Sequence, residues 1–198
     1  MHKLKLKIAL GVIGFFLLLI LSYIAMNTSY FFKQVNFYFH PPKVDTAQQN
    51  SNQDKGQPNH LSIPSLGIEA PIIEPSGNTE ANFQEALKNG PVHYPGTAGV
   101  GQVGNMYIFG HSSDFAFKAG NYKTVFALLP SIQNGAEIVL TDGSGRKFVY
   151  KVFDHFVAAS TDVKLLSQDT QGKKILTLQT SYPVGTALKR YIAKAELQ

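Results

Sequence analysis

The string Thr177-Leu178-Gln179-Thr180-Ser181-Tyr182-Pro183, followed nine residues after Ser181 by Arg190, organises the reading of this chain. Residues 174–180 and 191–197 are apolar and β-branched enough to form strands. The segment between them holds Pro183 and Gly185, which favour a turn. If these last two strands pair as an antiparallel hairpin, Ser181 and Arg190 face each other across its mouth. A hydroxyl and a fixed cation then sit side by side at a loop edge, where catalytic groups often lie.

Working outward, the same pattern repeats. Residues 61–63 and 68–73 are short apolar runs broken by Pro64, Gly67 and Pro71. Residues 105–109, 136–140 and 147–157 read as further strands, the last two joined by the hairpin signal Asp142-Gly143-Ser144-Gly145. Asn78-Thr79 before Phe83, Ala86 and Leu87, ending at Gly90, predicts a short capped helix. Helical turns are expected over 125–129 and 161–166. Many short strands with few helices predict a mainly all-β domain, a closed barrel or a sandwich, because closure removes exposed edges. Phe148, Tyr150, Phe153 and Phe156 read as core aromatics rather than groove lining.

The 198 residues include ten prolines, seventeen glycines and no cysteine, which rules out disulfides and thiolate metal sites. No dense acidic cluster is visible, so no metal and no cofactor is expected. Of eighteen Lys and Arg residues, Lys3, Lys5, Lys7, Lys33 and Lys43 lie in the first forty-three positions, and the other thirteen are matched by all thirteen acidic residues. The net charge of +5 is therefore N-terminal. A nucleic-acid binder would carry it on the folded domain; here it points to a membrane, and no nucleic-acid partner is expected.

Residues 8–26 run nineteen positions without a charge. As a helix they reach roughly 28 Å, the thickness of a bilayer's hydrocarbon layer. With Lys3, Lys5 and Lys7 in front, the positive-inside rule predicts a single-pass signal anchor, 1–7 cytoplasmic and the remainder extracellular. A cleaved signal peptide is the competing reading, but the run is long for one and no clear A-x-A site follows. Tyr23, Tyr30, Phe31 and Phe32 would sit at the far interface. Residues 27–60 form a juxtamembrane segment and tether; 41–60 are polar, with little to bury, and predict a flexible spacer. The folded domain is expected over 61–198. Asn27-Thr28-Ser29 matches a glycosylation sequon too close to the membrane to carry weight.

Chemistry at Ser181 needs a base. Of six histidines, His2, His40 and His60 lie in the tail or tether, and His155 lies inside a long strand, where a structural role is expected. His93 and His111 sit at junctions. The strings His93-Tyr94-Pro95-Gly96-Thr97, Gly104-Asn105 and Gly110-His111, then Phe126-Ala127-Leu128-Leu129 through Gly135, then Thr177-Leu178-Gln179-Thr180 and Lys189-Arg190 resemble, in order, segments of the sortases. These are membrane-anchored cysteine transpeptidases of bacterial cell surfaces. Ala136 stands where the family commonly has an acidic residue. The resemblance covers about residues 61–197, and the N-terminal anchor agrees with it independently.

The resemblance implies an eight-stranded sortase-like β-barrel, with His111 as catalytic histidine, Ser181 at the nucleophile position and Arg190 stabilising substrate and oxyanion. It implies as partners sorting-signal peptides of surface proteins, commonly L-P-x-T-G. Cleavage after Thr gives an acyl-enzyme, and the acyl group passes to an amine of peptidoglycan precursor or pilin. A thiolate favoured by His⁺ and Arg suits that chemistry, and arginine gives charge-assisted hydrogen bonds to the oxyanion.

A serine hydroxyl is far less acidic than a thiol and needs a general base. No G-x-S-x-G elbow surrounds Ser181, and Asp114 is the nearest acid in sequence to His111. The serine reads as an introduced inactivating substitution, as natural with lost activity, or as natural with weak serine catalysis. The expected activity is therefore little or none. The rivals are a non-catalytic relative that binds sorting-signal peptides or a surface partner, and an anchored structural domain with no peptide groove.

Overall fold

The computed structural model describes residues 2–42, 56–114 and 119–198. The chain begins with helix α1 (His2–Met26) and, after one residue, helix α2 (Thr28–Phe39). Strands β1 (His60–Ile63) and β2 (Ile68–Pro71) follow, then helix α3 (Glu80–Leu87), β3 (Val92–His93), β4 (Gly104–Gly110), β5 (Glu137–Thr141), β6 (Lys147–Ala159), β7 (Lys174–Tyr182) and β8 (Lys189–Leu197). The spacer expected over 41–60 lies mostly outside the described residues, which omit 43–55.

Each element follows from its sequence. Among the described residues α1 is the one helix long and apolar enough to cross a membrane, and none of its span is buried in the protein. The chain breaks at Asn27, whose backbone leaves the helical region and whose Nδ2 donates to the Tyr23 carbonyl at 3.0 Å. Thr79 caps α3, and the Asn82 side chain answers it in a reciprocal capping box. The β5–β6 hairpin turns on Asp142, whose carboxylate accepts from the Ser144 amide and hydroxyl and from the Arg146 amide. Residues 125–128 form turns rather than helix, followed by a short 3-10 segment at Leu129–Ser131; another lies at Val163–Leu166.

The eight strands make one curled sheet in the order β2-β1-β5-β6-β8-β7-β4-β3. The expected closed barrel is corrected here to an open, half-barrel sheet. Its edge strands β2 and β3 share no ladder, and a single parallel bridge from Ile73 to Val92 joins them. The physical reason is local: Pro71 ends β2 and Pro91 precedes β3, and proline cannot donate to a ladder. All neighbouring pairs are antiparallel except β4–β7, which run parallel from Gly104↔Lys174 to Gly110↔Thr180.

Alternation sorts the side chains. Met106 and Ile108 of β4, Leu176 and Leu178 of β7, and Ile138 and Leu140 of β5 join Leu61, Ile63, Phe126 and Leu129 in the core. Each fully buried Leu or Ile contributes about 1.5–3 kcal/mol. Tyr150 is buried and Phe148 packs against the core, but Phe153 is 47% exposed. The β6–β8 register shifts between Val152 and Asp154, so Phe153 is the extra residue of a bulge and turns outward. His155 is structural, its Nδ1 2.8 Å from the Tyr191 hydroxyl.

Candidate active site

Three adjacent strands set the site. In the antiparallel β7–β8 pair, Ser181 lies directly opposite Arg190. In the parallel β4–β7 pair the last partners are Gly110 and Thr180, so His111 comes off β4 one residue later, level with Ser181. Neighbouring strands lie about 4.8 Å apart. Ser181 therefore stands between the imidazole-bearing position on one side and the guanidinium-bearing position on the other, and all three residues line one groove. With period-2 alternation Tyr107 and Phe109 of β4 and Gln179 of β7 share that face.

The register is locked from the core side. The Thr180 hydroxyl donates to the Gly110 carbonyl at 2.8 Å, and both partners are buried. Gly110 fits there because any Cβ would come within 2.8 Å of the Phe126 ring. Phe126 in turn donates its amide to the His111 carbonyl at 2.9 Å, so the backbone leading out of β4 is held on both flanks.

His111 is partly buried, with Nε2 3.9 Å from Asp114 Oδ2, beyond hydrogen-bond reach. Arg190 Nη1 donates to the carbonyls of Ala187 and Lys189 at 3.0 and 3.1 Å, which ties the guanidinium to the β7–β8 loop. Those bonds use one of its nitrogens; the Nε and Nη2 donors are not spent on them. Burial raises the Tyr107 phenol well above its usual range, with the Arg190 charge pulling the other way. Tyr107 is thus a neutral donor at working pH, and its hydroxyl donates to Gln179 Oε1.

The far wall of the groove is the β6–β7 loop, through Thr161, Asp162, Val163 and Leu166. Gln168 holds it: its Oε1 accepts from the Ala98 and Asn105 amides at 3.1 Å each, and its Nε2 donates to the Asn105 and Leu166 carbonyls at 2.9 and 3.0 Å. Asn105 Nδ2 donates to the Leu165 carbonyl, and its Oδ1 accepts from buried Thr177. Gln168 escapes notice in the sequence because a polar residue in a loop has no local signature. His93 does not join the site; it is buried, with Nδ1 2.7 Å from Glu74 and Nε2 3.0 Å from the Ala98 carbonyl.

The arrangement offers a hydroxyl, an imidazole and a cation lining one groove. Such a set suits acyl transfer through an oxyanion. A sortase-domain family model matches residues 61–198. Sortase A of Streptococcus agalactiae serotype III (strain NEM316) is 27% identical over 145 residues, 70% of this chain and 51% of that protein, so the chain spans about half the length of the curated relative it matches. A Clostridium perfringens sortase D5 transpeptidase is similar in structure, with a TM-score of 0.57 and 29% identity over 70% of this chain and 77% of that one. Sortase E from Streptomyces avermitilis is similar with a TM-score of 0.55 and 30% identity over 73% of this chain and 90% of that one.

Proposed function

The chain belongs to the sortase family, and from that premise we propose a sortase-type transpeptidase site built on His111, Ser181 and Arg190. The residue at 181 attacks the scissile carbonyl of a sorting-signal peptide, His111 manages the protons, and Arg190 receives the developing oxyanion. The leaving amine takes a proton from His111, and a cell-wall or pilin amine then displaces the enzyme's oxygen or sulfur. The observation that carries this reading is the register, in which Ser181 is opposite Arg190 and level with His111.

With serine at 181 the turnover is little or none. His111 must then remove the proton of a serine hydroxyl, which is far less acidic than a thiol. The weak acidity of that hydroxyl favours a second reading, a non-catalytic relative that holds sorting-signal peptides in the groove. Residues 1–7 are proposed as cytoplasmic, 8–26 as the membrane anchor of a bacterial cell, 27–60 as the connection and 61–198 as the extracellular domain.

Ser181→Cys tests both readings. Incubated with a panel of pentapeptide sorting motifs, the cysteine form should gain the mass of a thioester adduct, and an added amine should release it. Peptide binding with no adduct in that form would favour the binding reading. Neither binding nor adduct would leave only an anchored domain.

A further inference from the structure

Helix α2 has two faces with different fates. Its inner face is spent on the domain: Lys33 Nζ donates to the Thr124 carbonyl at 2.9 Å, Gln34 Nε2 donates to the Ala127 carbonyl at 3.0 Å, and Phe37 packs against the main core. Lys33 is the helix's one charged residue, so docking it leaves no charge on the opposite side. That opposite side carries Phe32, Val35 and Phe39, three and four residues apart, on one stripe. They are 72%, 56% and 69% exposed. Among the ring contacts of the described residues Phe39 meets only the neighbouring Tyr38 ring, at 5.2 Å, and Tyr38 is itself exposed. So exposed a stripe would normally be polar in a helix whose other side is already satisfied.

The stripe is continuous with α1, separated from it by Asn27 alone. The helix is interrupted there, where the Asn27 backbone leaves the helical region, and the Tyr23 and Phe31 rings meet across the break at 6.0 Å. The end of α1 also touches the site's own loop. The Tyr23 hydroxyl donates to the Val184 carbonyl at 2.9 Å, and Leu188 in that loop is exposed.

We propose that α2 is an interfacial helix whose Phe32, Val35 and Phe39 lie in the boundary between lipid headgroups and acyl chains, seating the β7–β8 rim of the groove on the bilayer surface. The proposal rests on the membrane-anchored reading of α1. It assigns to 28–39 a role opposite to that of a spacer: the domain is clamped to the membrane through α2, and substrates enter a groove whose Ser181–Arg190 end is at headgroup level.

Because the chain has no cysteine, single cysteines can be spin-labelled cleanly in the full chain, reconstituted in vesicles of phosphatidylcholine and phosphatidylglycerol in equal parts. The positions are Phe32→Cys, Val35→Cys and Phe39→Cys on the stripe, Leu17→Cys within α1, and Lys174→Cys at the opposite end of β7 from Ser181. Relative accessibility to oxygen and to a water-soluble nickel chelate reads depth. The stripe labels should lie about 5–10 Å inside the interface, with the α1 label deeper and the Lys174→Cys label in water. Stripe labels as open to nickel as the Lys174→Cys label, with the Leu17→Cys label still deep, would overturn the interfacial helix and leave the anchor standing. An aqueous Leu17→Cys label would overturn both. Spin–spin broadening of the stripe labels that vanishes on dilution with unlabelled protein would show a second copy covering the face, and would also overturn it.

Discussion

A hydroxyl and a thiol occupy nearly the same space, and they differ by orders of magnitude in the fraction ionised near neutral pH. At the residue scale the question at position 181 is therefore acidity rather than fit. Its neighbours can be weighed only against a nucleophile that works, so the informative background is Ser181→Cys. In that background His111→Ala should lower kcat/KM by about 100-fold or more, as loss of a proton-transfer group does. Arg190→Ala should cost a comparable amount, about 100–1,000-fold, as loss of an oxyanion donor does. Arg190→Lys should restore little, since a guanidinium whose Nη1 holds the Ala187 and Lys189 carbonyls keeps further donors in a fixed plane, which an ammonium cannot copy. Steady-state peptide cleavage with acceptor amine present measures all three, and an unchanged Arg190→Ala rate would remove that residue from the proposed site. Much of this was readable beforehand: the Ser181–Arg190 pairing follows from two apolar runs and a Pro/Gly turn. The 3.9 Å separation of His111 from Asp114 was not, because side-chain distances do not follow from spacing along an irregular segment.

At the scale of elements, one connection holds a hairpin of the sheet and another frames the site. The β5–β6 turn depends on Asp142. The Ser144 hydroxyl first, then the Arg146 and Ser144 amides and the Arg146 charge, hold its carboxyl down from an ordinary 3.8 to about 2. A depressed carboxylate contributes stability that is fully present above its unfolded value and is lost as pH falls through about 2. A titration followed by NMR should place the Asp142 midpoint near 2, and Asp142→Asn should flatten the most acidic part of the stability profile. The β6–β7 loop depends on Gln168. Gln168→Ala removes four hydrogen bonds at once and should raise amide exchange over residues 160–168. In the Ser181→Cys background it should raise KM for peptide several-fold with a smaller change in kcat, because it loosens a wall and not the reacting groups. Equal losses in both constants would place Gln168 nearer the chemistry than the structure does. The Asp142 turn was visible in the sequence as a hairpin signal. The Gln168 clamp was not, because its partners Ala98 and Asn105 lie 70 and 63 residues away.

For the whole molecule, helix α2 and the sheet are packed together in the described residues. Phe37 contacts the main core, so Phe37→Ala should destabilise the full chain in detergent by about 1–3 kcal/mol. Thermal denaturation followed by circular dichroism measures this, and an unchanged midpoint would mean that α2 rests on the domain without supporting it. The sequence by itself determined seven of the strands and the capped helix α3, though neither helix α2 nor the short β3, and it determined which span is apolar enough for a bilayer and that a hydroxyl and a guanidinium share the last hairpin. These are properties of neighbouring residues, set by side-chain periodicity and by proline and glycine. Only the tertiary structure decided that the sheet stays open at β2 and β3, that Phe153 turns outward on a bulge, that α2 docks through Lys33 and Gln34, and that His111 arrives beside Ser181. That last meeting depends on a parallel pairing of β4 with β7 across 70 residues. No local signal encodes it, because a parallel partner is chosen by the packing of the whole sheet rather than by the turn that joins two strands.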